Sequence, residues 1–483
     1  MDKTLGIGEK KVIWIIIVFG LILRLISLNQ SLWLDEAINI LAVKNFSLPG
    51  LITQYAIADF HPPGWFIILW FWGKVFGYSE ISMRIPSVVF GVIAIFVVYL
   101  IGKKLFSKKI GLLAALLLSI NPLHIYYSQE ARMYSMAALA VAVNIFILIK
   151  LLHKERINII FIVMSNLFIL LADYVAYFIF PAELMLLILL KEKKLINKWL
   201  VAAFVALVLT SWWIPIFVNQ LNAGAVAAEN LPAWRFIVGG FDFKTIPLTF
   251  VKFIIGRISL ADKMLYYALL LPVCSLFAYL LLIGIRKSNN FQKKLLLTWV
   301  VIPPLIATAI SLVVPVYNYF RVLFILPGFI ILIAVGMLHF KNKLRIIIFV
   351  IVVLIEFICS LLYLLLPGYQ REDWRRLVYY FQSFKPSIVL FESPGILPPF
   401  DYYAKGSINA KGALDDFPAK DEHAVSNLDS IVKGHKEVFL VDYLVQISDP
   451  NRVVVRKLND LGYIQLDIKN FTGVGFIYHY ILK

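Results

Sequence analysis

Long apolar runs recurring through the whole chain constrain it more than any other feature. They fall at 12–28, 85–102, 110–127, 133–152, 159–172, 175–190, 199–218, 265–285, 295–314, 322–340 and 346–366. Most are long enough to cross the ~30 Å hydrocarbon core of a bilayer as helices; 159–172 and 175–190 are the shortest. With 61% hydrophobic residues in 483, the chain reads as an integral membrane protein. A net charge of +17 would suggest a nucleic-acid partner in a soluble protein. Here the basic residues fall in short clusters between apolar runs, the signature of cytoplasmic loops. Cys274 and Cys359 both lie inside apolar runs, far apart, with no CxxC or Cys/His metal spacing. The first run follows Lys3, Lys10 and Lys11 and continues to Leu28 without a small-residue cleavage site, so it reads as an uncleaved first helix.

The stretch PPGWFIILWFWGKVFG, 62–77, decides the topology. It is short, carries Lys74 and contains three tryptophans, which favour the interface. If it lies along the surface, Lys103/Lys104/Lys108/Lys109 fall inside. So do Lys150/Lys154/Arg156, Lys191/Lys193/Lys194/Lys198, Arg286/Lys287/Lys293/Lys294 and Lys341/Lys343/Arg345. The positive-inside rule then holds at every turn. The expectation is eleven spanning helices with the N-terminus cytoplasmic, and 62–77 a juxtamembrane helix opened by Pro62 and Pro63.

On this reading 29–84, a short turn near 128–132, a turn at Asp173, 219–264, a turn at 315–321 and everything after 367 emerge outside. The tail alternates β-like runs (SIVLF, EVFLVDY, GVGFIYHY) with helical ones (REDWRRLVYYF, NRVVVRKLNDLG). That pattern predicts a small extracytoplasmic α/β domain at 367–483 beside a transmembrane domain at 1–366. Repeats of solenoid, propeller or inverted-transporter type are not detected.

Four pieces meet at the outer boundary. SLWLDEAINI places Asp35 and Glu36 at the start of a helix whose Leu34, Ile38 and Leu41 share one face. DFHPPGWF delivers Asp59 and His61 just before the prolines. NPLHIYYSQEARMYSMAAL crowds Glu130, Arg132 and Tyr134 into a short turn after His124, Tyr126 and Tyr127, and VYNYFRVLF brings Tyr317, Tyr319 and Arg321 to another helix end. Each has an ordinary explanation: acids in a first helical turn, an interfacial Glu–Arg pair, belt aromatics. Carboxylates and cations sharing one membrane depth are costly, however, and mark a polar site. Transfer from a membrane-bound phosphate ester fits them: a carboxylate takes a proton from the acceptor while cations stabilise the departing phosphate.

The Asp-Glu pair after the first helix, the His-Pro-Pro motif, MRIPSVVFG, YYSQEARMYS and the Tyr/Arg entry to the LPGF helix resemble the C-type (GT-C) glycosyltransferases. The resemblance is to family-39-like proteins, kin to protein O-mannosyltransferases and the lipid A aminoarabinose transferase. It covers roughly 10–340 and is most specific over the first 140 residues. It implies a sugar donor on a polyprenyl phosphate, an outer-face reaction that inverts the anomeric centre, and a glycan, lipid or protein acceptor. It assigns catalysis to Asp35, with Glu36 beside it, and donor phosphate binding to His61, Arg132, Arg321 and Tyr317; Asp59, Glu130 and Tyr134 are further candidates. Phe60 stands where the aminoarabinose transferase has a metal-binding Glu, so no zinc site transfers; a divalent metal stays open and no other cofactor is implied. The tail differs from the mannosyltransferases' inserted sugar-binding domain. Two other classes compete: a transporter or flippase of lipid-linked sugars, which needs charges deep in the spans, where Glu183 and Glu356 are the main acids, and a structural protein displaying its outer domain.

Overall fold

In the computed structural model of the protein, residues 7–230, 235 and 239–483 are described. A helix stands at each expected apolar run, and local chemistry sets where the helices start. Ser79, Ser107, Asn158, Asp262 and Asn289 each accept a hydrogen bond from a backbone N–H in the first turn of the helix that follows, relieving donors with no intrahelical partner. The helix of 110–127 is broken into Lys108–Ile120 and Pro122–Ser128, which meet at 62°. Proline at the second helix's start cannot continue the first one's ladder, and the Asn121 side chain caps the new helix at His124 N. A 50° bend likewise divides Lys193–Leu209 from Ser211–Ala227.

Among the described residues, five helices are long and apolar enough to cross a membrane alone: Glu80–Leu105, Tyr134–Leu152, Lys263–Lys287, Asn290–Ile310 and Asn342–Leu365. Taking each bent pair as one span raises the number to seven. Ile159–Ala172, with 14 residues, reaches only about 21 Å at the α-helical rise. Gly64–Phe76 has 13 residues, follows Pro62 and Pro63 directly, and is also too short to cross.

Small residues let helices touch backbone to backbone, as membrane helices do. A Cβ at Gly284 would sit 2.1 Å from Leu332 O, and one at Gly336 would sit 2.1 Å from Leu280 O. Lys263–Lys287 and Leu326–His339 therefore pack in direct contact.

The tail folds around one mixed sheet: β1 Val389–Phe391, β2 Ala410–Gly412, β3 Glu437–Asp442, β4 Tyr463–Phe471 and β5 Gly475–Leu482, in the order β2-β1-β3-β5-β4. β2, β1 and β3 run parallel; β3-β5 and β5-β4 pair antiparallel. Alternation along β1 and β3 sends Leu390, Val438 and Leu440 to one face, where Val454 and Leu458 cover them. Val389, Phe391 and Phe439 go to the other, against Trp374, Leu377 and Phe381 of the helix Trp374–Phe384. Sequence pattern located β1, β3 and β5; β2 is only three residues long, and β4 was missed although Ile464, Leu466 and Ile468 alternate with polar residues along it. The tail touches the helical part directly, with Leu32 N donating to Tyr403 Oη at 2.8 Å and Tyr402 Oη donating to Tyr78 O at 2.8 Å.

Candidate active site

The helix Leu34–Asn45 carries Asp35 and Glu36 in its first turn, where the helix dipole favours anions. Successive residues point about 100° apart around a helix, so the two acids face different surroundings. Glu36 is fully buried: Arg84 grips it through Nε–Oε1 at 2.8 Å and Nη2–Oε2 at 2.6 Å, and Ala131 N donates to Oε1 at 2.7 Å. Burial alone would push the Glu36 carboxyl up, but Arg84, Arg371 and the Ala131 amide hold it below the usual range. Arg84 also donates to Leu28 O, Gln30 O and Ser31 O, tying the end of the first helix to this point.

Arg371 enters from the start of the tail and is just as buried. It lies 3.9 Å from Glu36, donates to Glu130 Oε2 at 2.8 Å, and stacks on Tyr126 at 4.2 Å. Glu130 thus pairs with Arg371, whereas its sequence neighbour Arg132 turns elsewhere. Burial, reinforced by the Glu36 charge, raises the Glu130 carboxyl against the pull of Arg371. This four-residue cluster is sealed on all sides.

Asp35 stays 38% exposed, and its Oδ2 lies 3.5 Å from Arg132 Nη2. The same Nη2 is 3.4 Å from His61 Nε2, while His61 Nδ1 meets Asp59 Oδ1 at 2.5 Å. A guanidinium only donates, so His61 Nε2 accepts and the Nδ1 proton is given to Asp59. Asp59 also accepts from Phe60 N at 2.7 Å; Tyr55 Oη, which gives its one proton to Asn39 Oδ1 at 2.6 Å, lies 3.5 Å from Asp59 Oδ2. Burial pushes the Asp59 carboxyl up, yet His61, Arg132 and the Phe60 amide bring it below its ordinary value. Arg132 further lies over the Tyr134 ring at 6.0 Å.

His61 forms part of the wall of a cavity of about 280 Å³ that also includes Phe60, Asp173, Gln220, Arg321 and mostly apolar side chains such as Phe217, Leu221 and Val314. Arg321 is lightly held there: Nη1 donates to Pro315 O at 3.3 Å and the buried Nε has no partner. A mostly apolar pocket with a few polar and charged groups in its wall suits an amphiphile with a charged head.

Of the residues singled out from sequence, the structure links Asp35, Asp59, His61, Arg132 and Tyr134 in one chain of contacts, and His61 and Arg321 share the cavity. Glu36 and Glu130 belong to the sealed cluster. Tyr317 is not brought to the cavity; it is buried with its hydroxyl 3.1 Å from Thr249 Oγ1. Arg84, Arg371, Asp173 and Arg257 escaped sequence reasoning. Arg257, next to the amphipathic helix Thr245–Ile255, also lies over the Tyr126 ring at 4.7 Å. The signal for Arg84 was an arginine inside MRIPSVVFG, near the outer end of an apolar run; Arg371 read as one more charge of an amphipathic tail helix. Among the described residues no three His, Cys, Asp or Glu side chains stand together as a metal could require.

Residues 60–215 match the family described as dolichyl-phosphate-mannose-protein mannosyltransferase. No curated protein matches the chain in sequence. Among solved structures, ArnT from Cupriavidus metallidurans bound to undecaprenyl phosphate is similar over 96% of this chain and 97% of its own, with TM-score 0.59 at 11% identity. The Archaeoglobus fulgidus oligosaccharyltransferase AglB, in complex with an inhibitory peptide and a dolichol-phosphate, matches 98% of this chain and 74% of its own, with TM-score 0.53 at 12% identity. The mycobacterial arabinofuranosyltransferase AftD matches 99% of this chain and 40% of its own, with TM-score 0.54 at 11% identity. The chain therefore has the C-type (GT-C) glycosyltransferase fold. It is an integral membrane protein built on that fold, in which His61, the end of the Asp35–Arg132–His61 chain of contacts, lines an apolar cavity.

Proposed function

We propose that this protein is an inverting glycosyltransferase that moves a sugar from a polyprenyl-phosphate donor to a glycan, lipid or protein acceptor on the outer face of the cell membrane. The observation that carries the reading is a half-exposed carboxylate, Asp35, separated by Arg132 and His61 from an apolar cavity that holds a further arginine. The prenyl chain occupies the apolar length of the cavity and the phosphate meets Arg321, His61 and Arg132. Asp35 accepts the proton of the acceptor hydroxyl or amine as that atom attacks the anomeric carbon from the side opposite the phosphate. The carbon–oxygen bond to phosphate breaks, the phosphate keeps the electron pair, and the cations neutralise it. Glu36 supports Asp35 by fixing the helix that carries it. ArnT with undecaprenyl phosphate and AglB with dolichol-phosphate have the same fold and bind lipids of this chemistry.

On this reading residues 1–366 form the membrane unit, its eleven apolar runs each crossing once, the short Ile159–Ala172 where the bilayer thins around it, with a cytoplasmic N-terminus, and 367–483 form an extracytoplasmic unit. The reading is tested with purified protein, a panel of polyprenyl-phosphate sugars and candidate acceptors. Transfer from at least one donor is expected; binding and translocation without transfer would favour a flippase. Cysteines at Ser107 and Ser426 should label from opposite sides, 107 cytoplasmic and 426 external. Same-side labelling would overturn the eleven-span count.

A further inference from the structure

The cavity holds an acid that the reaction just described does not use. Asp173 is the first residue after the helix Ile159–Ala172 and is buried in the cavity wall. Its Oδ1 accepts from Val175 N at 2.7 Å, which fixes the carboxyl group, and its second oxygen takes no hydrogen bond from any described residue. The charged groups whose fields reach it are His61, Arg321 and Arg132, the same ones proposed to hold the phosphate. Asp35, by contrast, does not line this cavity.

That oxygen borders the cavity, so a ligand that fills this space and displaces water from it leaves the carboxylate unfavourably bare unless it brings a hydrogen-bond donor. The prenyl chain has no hydrogen-bond donor. Neither has the phosphodiester that links lipid to sugar; it would only repel a carboxylate at close range. The one part of such a donor able to satisfy Asp173 is the glycosyl group, through its hydroxyls or an amine. From this geometry we infer that Asp173 is a specificity-determining residue that binds the glycosyl group of the lipid-linked donor and distinguishes it from the bare lipid phosphate left after transfer. The inference rests on the proposed donor. It divides the labour of the acids: Asp35 serves the acceptor and Asp173 the transferred sugar. It also gives product release a cause, since the spent lipid phosphate no longer offers Asp173 a partner.

The test measures binding of undecaprenyl phosphate, bare and carrying mannose, glucose or arabinose, to the full-length protein and to Asp173→Ala. The wild type should bind at least one glycosylated lipid about tenfold more tightly than the bare one, the scale of one hydrogen bond to a charged group. Asp173→Ala should erase most of that difference and change bare-lipid affinity little. Asp173→Asn, which keeps an oxygen for Val175 N, serves if the alanine variant does not fold, and should lose part of the difference. Equal losses for bare and glycosylated lipids, or no loss in either, would overturn the assignment. A wild type that binds the bare lipid but prefers none of the three sugars sinks this inference alone. A wild type that binds no polyprenyl phosphate sinks the functional reading, and this inference with it.

Discussion

Asp35 and Glu36 are neighbours in sequence and opposites in setting. Glu36 has an exposure of 0% and short, bidentate contact with Arg84; Asp35 is 38% exposed and lies at 3.5 Å from a guanidinium that is shared with a histidine. The difference extends to the whole of each cluster. The Glu36/Arg84/Glu130/Arg371 group fills nearly all its hydrogen-bonding capacity inside the protein, leaving only Glu130 Oε1 and Arg371 Nε unpartnered, and joins the first helix, the second outer loop and the tail at one point. The Asp35/Arg132/His61/Asp59 group leaves the buried Arg132 Nε without a partner and is open through the part-exposed Asp35, and His61 shares its cavity with Arg321 and Asp173, which also leave atoms free. A closed ionic network locks geometry, and an open one can exchange its partners for a substrate. Adjacent acids can be divided between the two tasks because a helix turns them apart.

The contrast can be broken in four places. The largest effect is expected at the open cluster: Asp35→Asn should remove ~10²–10⁴ of the transfer rate, with thermal unfolding and lipid-donor binding near wild type. Near-normal turnover would dismiss Asp35 as the base. The sealed cluster should respond in the opposite sense. Arg371→Ala leaves Glu130 and Glu36 short of a buried counter-charge and should cost about 3–5 kcal/mol of stability, read as a loss of denaturation midpoint in detergent. A stability loss in Asp35→Asn as large as that in Arg371→Ala would erase the distinction between the clusters.

Arg321→Ala should come next, weakening binding of undecaprenyl phosphate about tenfold, as expected for loss of a charge-assisted contact, without altering the fold. Unchanged affinity, by titration on purified protein, would remove Arg321 from the phosphate site.

The smallest effect is expected far from both clusters. Glu392 follows β1, is fully buried, and neither carboxylate oxygen has a partner. Burial, with Asp449 and Asp442 nearby, pushes its carboxyl up to about 8. Because that lies above the value in an unfolded chain, the folded state binds the proton more tightly. The resulting stability is present at acid pH and lost as pH rises toward about 8. Glu392→Gln should flatten this dependence and gain on the order of 1 kcal/mol at pH 8, measured by denaturant unfolding at two pH values. An unchanged slope would show that Glu392 is ionised in the fold.

Much of the architecture was legible because the bilayer imposes simple rules on sequence. Apolar length gave a helix at every expected run, and β-like runs in the tail gave three of the five strands. Sequence also grouped Asp35, His61, Arg132 and Arg321, since charges near hydrocarbon need a reason, and the fold joins the first three through Arg132 and sets Arg321 in the cavity wall with His61. Other matters depended on contacts between residues far apart in the chain. Sequence placed Glu130 beside Arg132, but packing gave Glu130 to Arg371, 241 residues away. It placed Tyr317 with Arg321, but the loop's path turned one hydroxyl to Thr249. Asp173 looked like a turn residue until the helices around it enclosed a cavity. Periodicity and charge are local quantities and are written in the chain itself. Which acid is sealed, which is open, and which faces the substrate depends on what the fold brings alongside, and only the tertiary structure decides that.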